Sequence, residues 1–189
     1  MREEWGEYDK PWNLPPSDEL DAAWDDLLVA RDIRVSPAEL GKLNGNTTNR
    51  VQLTDGDYVA VLGPYHLLHC MNIMRRVIHW DYYGPLMSEE ERGSFIYTHE
   101  HSDHCLELYR QHVMCHGYPT FYTGEWVADS KSFPNKELRP GGLTKCVNWD
   151  SMDGWARQRA LNVQEHKVKP GPFEKHYGKH ESHKTGGSS

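Results

Sequence analysis

Tyr65-His66-Leu67-Leu68-His69-Cys70-Met71-Asn72-Ile73-Met74-Arg75-Arg76-Val77-Ile78 carries apolar residues at 67, 71, 74 and 78. That is the i, i+4, i+7, i+11 spacing of one helical face, and it predicts a helix over 65–80. The stretch also opens on His-x-x-His-Cys. The pattern returns at His101-Ser102-Asp103-His104-Cys105, inside a second predicted helix over 99–115 that bears Leu106, Leu108 and Val113. From 12 histidines and 4 cysteines in 189 residues, about 0.02 copies of the pattern would arise by chance.

On a helix, residues i, i+3 and i+4 share a face. His66, His69 and Cys70 therefore point one way, as do His101, His104 and Cys105. Two such helices packed face to face gather four imidazoles. A four-nitrogen set suits copper or zinc better than calcium or magnesium. A lone histidine on an apolar face usually packs as a hydrogen-bonded core residue, and that reading is kept for His79, His99, His112 and His116. His112 is nonetheless a candidate additional ligand, because it lies eleven residues after His101 and near the same face. His166, His176, His180 and His183 fall in or beside the polar tail, where weak adventitious metal binding is all they are assigned.

Working outward, Leu20, Ala23, Trp24, Leu27 and Leu28 mark an amphipathic helix that Ser17 would cap. Ser36-Pro37-Ala38-Glu39 has capping-box spacing with proline at the first helical position. Gly45 suits its stop. Arg50–Leu53 and Tyr58–Leu62 flank Asp55-Gly56 and predict a β-hairpin. Ser88-Glu89-Glu90-Glu91 opens a further helix. Residues 117–148, rich in Pro, Gly and aromatics, read as an irregular loop region. Asp150 or Ser151 would cap a last helix with Met152, Trp155, Ala156 and Ala160.

The expected fold is mainly α with a small β-hairpin, a single domain whose two motif helices face each other around a metal site. The expected organisation is an extended arm at 1–16, the metal-binding domain at 17–162 and a disordered tail at 163–189, nearly free of apolar residues from Lys167 onward.

Composition narrows the function classes. The formal net charge of −7 argues against a nucleic-acid partner, since phosphates attract basic surfaces. No apolar run approaches the roughly 18 residues of a membrane span, and the start lacks a signal-peptide apolar region. The chain is then either cytoplasmic or the soluble part of a secretory-pathway protein. Asn46-Thr47-Thr48 is a glycosylation sequon, with Asn46 as acceptor. There is no phosphate loop, nucleophile elbow or His-Glu-x-x-His, so no catalytic residue is assigned beyond the metal ligands.

Cys70, Cys105, Cys115 and Cys146 have three readings: thiolates completing zinc sites, soft ligands for Cu(I), or disulfides. In an oxidising compartment the favoured pairs are Cys70–Cys105, at matching places on the two helices, and Cys115–Cys146.

The order Tyr65-His66-x-x-His69-Cys70, then His101-x-x-His104-Cys105-Leu106-Glu107-Leu108-Tyr109-Arg110, then Cys115, resembles the UstYa-like oxidases of fungal natural-product clusters. Weaker matches run from Pro16-Ser17-Asp18-Glu19-Leu20-Asp21 to Cys146-Val147-Asn148-Trp149-Asp150 and Trp155, so the resemblance covers roughly 11–162. It implies oxidative tailoring of a peptide or small natural product: macrocyclisation, hydroxylation, desaturation or halogenation. It also implies copper, one or two ions, used with O2 on C–H or O–H bonds. His66, His69, His101 and His104 would be the metal ligands.

An N-terminal membrane anchor and a lumenal domain are usual in the family. Homo- or hetero-oligomers of this chain are a further expected partnership. This chain departs from the pattern in lacking that anchor, in having Thr144 where a histidine often precedes the last cysteine, and in having Tyr118 where an acidic residue is common. The rival reading is a zinc-stapled, non-catalytic binding module. A second rival is a secreted structural protein whose histidines only pack.

Overall fold

The computed structural model describes residues 11–42, 48–117, 121–127, 136–141, 145–162 and 166–171. Asn46, Tyr118, Thr144, His176, His180 and His183 lie outside them. The chain first makes a 3-10 turn at Pro11–Asn13, where the sequence predicts only an extended arm. The Trp12 indole closes it against the following helix by donating to the Ala23 carbonyl at 3.2 Å. That helix, α1 (Asp18–Leu27), starts at Ser17, whose hydroxyl accepts from the Leu20 amide, and buries Leu20 and Trp24.

Strand β1 (Asp32–Val35) follows. Then comes α2 (Pro37–Lys42), where Ser36 and Glu39 form the reciprocal capping bonds that the sequence predicts.

Strand β2 (Tyr58–Val61) follows the expected turn. The turn at 53–57 has Gly56 at φ 106°, a conformation that glycine adopts without strain. Across it the hairpin is short: the Leu53 amide donates to the Asp57 carbonyl, the Val59 amide to that of Val51, and Gln52 bridges Tyr58. The full ladder joins β2 to β1, antiparallel from Asp32↔Val61 to Val35↔Tyr58. The chain after the last helix extends β1 on its other side: Arg34 donates to the Arg159 carbonyl, and Leu161 to that of Asp32.

From β2 the chain turns at Leu62 into α3 (Gly63–Ile78), with Pro64 in the first turn. Short turns follow: α4 (Trp80–Tyr83), and α5 (Glu89–Arg92) with its Ser88–Glu91 capping box. Helix α6 (His99–His116) is capped by Thr98. Strands β3 (Phe121–Trp126) and β4 (Lys136–Gly141) then pair antiparallel, where the sequence predicts an irregular region. Helix α7 (Trp149–Arg157) is capped by Asn148, ahead of the expected Asp150 or Ser151.

Lys167–Lys169 also depart from the expected disordered tail. Lys167 accepts from the Thr54 amide, Lys169 donates to Gln52, and Val168 bridges Leu53.

The molecule is thus mainly helical, with small antiparallel sheets. Its core lies under the start of α3: Ala30, Ile33, Tyr65 and Ala156 are fully buried, with Leu62, Ala60 and Trp149 against them. The Tyr65 hydroxyl donates to Asp153 on α7. Arg157 ties α7 to Asp26 on α1 at 3.0 Å. Farther along α3, Arg75 reaches Asp21 at 2.5 Å and donates to Tyr83, while its guanidinium lies over the Trp24 and Tyr83 rings. These contacts orient α3 from one side and leave the other for α6.

Two predicted apolar faces are only partly used. Met71 and Ile78 on α3, and Leu106 and Val113 on α6, are exposed; the buried positions are instead Tyr65, Cys70, Asn72, Ile73 and Cys105. The core that α3 meets lies around Tyr65 and Ile73, off the face that the 67–78 spacing marks.

Candidate metal centre

Helices α3 and α6 pack antiparallel, because the motif residues meet in crossed order. His66 faces His104 with ring centres 6.3 Å apart, and His69 faces His101 at 6.5 Å. His101 and His104 stand 6.1 Å apart on their own helix. All four sequence-predicted ligands therefore come together across one interface. Beneath them Cys70 and Cys105 are fully buried, and their thiols hydrogen-bond each other. Burial first, and then its neighbour Cys70, pushes the Cys105 thiol up to about 12. All four cysteines are free thiols in the structure. The Tyr109 hydroxyl closes this layer by donating to the Leu67 carbonyl.

Surrounding groups set the state of the rings. His101 Nδ1 lies 2.8 Å from the Ile96 carbonyl. A carbonyl only accepts, so Nδ1 is a protonated nitrogen and Nε2 is the one left to face a ligand. Phe95 sets an aromatic edge 5.5 Å from the same ring. His69 is half-buried, with an Arg31 Nη1 3.5 Å from its Nδ1. Burial, then the Arg31 charge, hold its pKa down at about 4, so this imidazole is neutral, the form that binds metal. Arg31 is itself paired with Asp32 at 2.6 Å.

Arg31, Phe95 and Ile96 escaped the sequence reading. Arg31 acts through a contact thirty-eight residues away, and Phe95 and Ile96 through the turn that leads into α6.

The donors suit an ion such as copper or zinc in kind. Among the described residues, no three His, Cys, Asp or Glu side chains already stand close enough to hold one ion. An imidazole nitrogen about 2.0–2.1 Å from an ion puts its ring centre about 3.2 Å away, so two ligands at the tetrahedral angle have centres about 5.2 Å apart. A tetrahedral ion would need the facing pairs to close by about 1 Å, whereas trans ligands of a square-planar ion, with centres about 6.4 Å apart, match the facing distances. His66 and His104 are exposed, so rotamer changes on an open surface can supply that movement.

His112 does not join the four. Its ring neighbours His116, at 4.7 Å. His79 and His99 are exposed, and His166 bonds the Asn162 carbonyl at 2.7 Å.

Two cavities flank the cluster. One, of ≈ 370 Å³, has His69, Ile96, Tyr97, Arg31 and Arg76 in its wall. The other, of ≈ 820 Å³, is largely apolar and is lined by His66, Leu67, Leu108 and Val147 together with Cys115 and Cys146. No helix among the described residues is long and apolar enough to cross a membrane.

The family model described as mycotoxin biosynthesis protein UstYa matches residues 5–159. The chain belongs to the UstYa family. A UstYa family oxidase of Diaporthe leptostromiformis is 29% identical over 148 residues, 72% of this chain and 42% of that protein. A hydroxylase of Talaromyces islandicus is 27% identical over 103 residues, 54% of this chain and 34% of the relative. A chlorinase of the same organism is 24% identical over 147 residues, 76% and 42%. The chain spans about half the length of the first curated relatives that it matches. No solved structure matches it.

Proposed function

We propose that this UstYa family member is a copper-dependent, O2-using oxidative tailoring enzyme acting on a peptide or small natural product. The observation that carries the reading is the meeting of all four imidazoles of the two His-x-x-His-Cys copies across the α3–α6 interface. The oxidase, hydroxylase and chlorinase names of its relatives support an oxidative reaction. His66, His69, His101 and His104 would hold the ion. Copper bound there would supply one-electron chemistry with O2 toward a C–H or O–H bond.

The chain's own part is positioning. The Ile96 carbonyl fixes the His101 ring, and burial with Arg31 keeps His69 neutral. The substrate's seat is the larger cavity, whose wall includes the exposed His66 and is largely apolar. Cyclisation, hydroxylation, desaturation and halogenation then differ in which substrate atom that wall presents.

The reading includes a secretory-pathway lumen and the pairs Cys70–Cys105 and Cys115–Cys146. The contact between the first two thiols, and the shared cavity wall of the second two, support this pairing.

The test is metal analysis with electron paramagnetic resonance on freshly purified protein, alongside ascorbate-driven O2 uptake. Copper that a chelator removes together with O2 uptake is the expected result. Protein loaded with zinc alone, through cysteine as well as histidine, and silent toward O2 would replace this reading with the zinc-stapled module.

A further inference from the structure

We propose that His112 and His116 form a second metal site, separate from the four-histidine cluster, that takes a late first-row divalent ion, copper ahead of the others. The two residues are i and i+4 on the last turn of α6, the spacing at which helical histidines chelate one ion. Their ring centres are 4.7 Å apart, closer than any pair in the central cluster. Two imidazoles on one ion keep centres about 4.5 Å apart at a right angle and about 5.2 Å at the tetrahedral angle. This pair stands in the range for two neighbouring ligands of one ion, closer than the neighbouring His101 and His104 at 6.1 Å.

Two further features favour a cation here. The last turn of α6 presents the negative end of the helix dipole. Both rings also face the ≈ 820 Å³ cavity that His66, Gln111, Cys115 and Cys146 line. An ion held by two imidazoles keeps its other positions open toward that space, for water or a substrate donor. Among divalent ions at a nitrogen site, copper binds most tightly. With two protein ligands against four, this site fills second. It does not depend on the central centre being occupied, and it reassigns His112, which sequence spacing alone would attach to His101.

The experiment uses the full chain in a background with His176, His180 and His183 replaced by alanine, so that tail imidazoles do not count. Metal is stripped with a chelator and Cu(II) is titrated back, followed by paramagnetic resonance and by the thermal midpoint. The expected result is two equivalents with distinct spectra. H112A/H116A should lose the second equivalent and its rise in midpoint while keeping the first. H66A/H104A should lose the first and keep the second.

Both residues are exposed, so circular dichroism should report a native fold; H112N/H116N serves as a second variant. Two equivalents retained in H112A/H116A would overturn the proposal. So would loss of one and the same equivalent in both double variants, which would make His112 part of a single centre. If H112A/H116A loses one equivalent while H66A/H104A loses none, this site stands and the four-histidine reading fails.

Discussion

On α3 the His-x-x-His-Cys motif rests on the core. Tyr65 before it and Cys70 within it are fully buried, Ile73 follows at 7% exposure, and His69 lies against Arg31. On α6 the same five-residue pattern rests on almost nothing. Cys105 alone is buried on that helix, Leu106 is 51% exposed, and His104 faces solvent. The motif secures ligand spacing in both places. Its surroundings then divide the labour: α3 is the anchored helix and α6 the less anchored one, and each presents one held ring, His69 or His101, and one exposed ring, His66 or His104.

The largest effect that would break this comparison is on turnover. If the halves build one centre, His66→Ala and His104→Ala should each abolish O2 uptake. The double variant should be no worse than either single one, because ligands of one ion act as a unit. Additive partial losses would mean two independent sites.

Stability should separate the halves next. Arg75→Leu removes a largely buried guanidinium that holds α3 to Asp21 and Tyr83. Breaking a fully buried pair costs about 3–5 kcal/mol; with Asp21 partly exposed, about 2–3 kcal/mol is expected in urea unfolding. Ile73→Ala should cost about 2–4 kcal/mol, as a core truncation does. Leu106→Ala, the matching change on α6, should stay within about 0.5 kcal/mol. Equal costs at 73 and 106 would erase the distinction between an anchored and a less anchored helix. The smallest expected effect is at the tail: replacing His176, His180 and His183 together should leave O2 uptake unchanged, since a sequence this poor in apolar residues lacks the burial that fixes a rigid site.

The elements that sequence alone could find are those with local causes. The capping residues Ser17, Ser36 and Ser88 bond an amide three residues away, so each announces its helix. The i, i+3, i+4 spacing of the two motifs is likewise a property of any helix, which is why all four candidate ligands were legible before any packing was known.

What the tertiary structure decided has long-range causes. Tyr58–Val61 bonds the segment before its turn at Val51 and Gln52 and runs its longer ladder along Asp32–Val35, where Ile33 is buried against Tyr65 and Ala156. Met71 and Ile78 share a helical face with no partner there, because the core meets α3 at Tyr65 and Ile73 instead. The neutrality of His69 comes from burial and from Arg31, thirty-eight residues away. Spacing along a helix is dictated by 3.6 residues per turn; which side chains stand opposite is dictated by the packing of distant segments, and no local pattern encodes it.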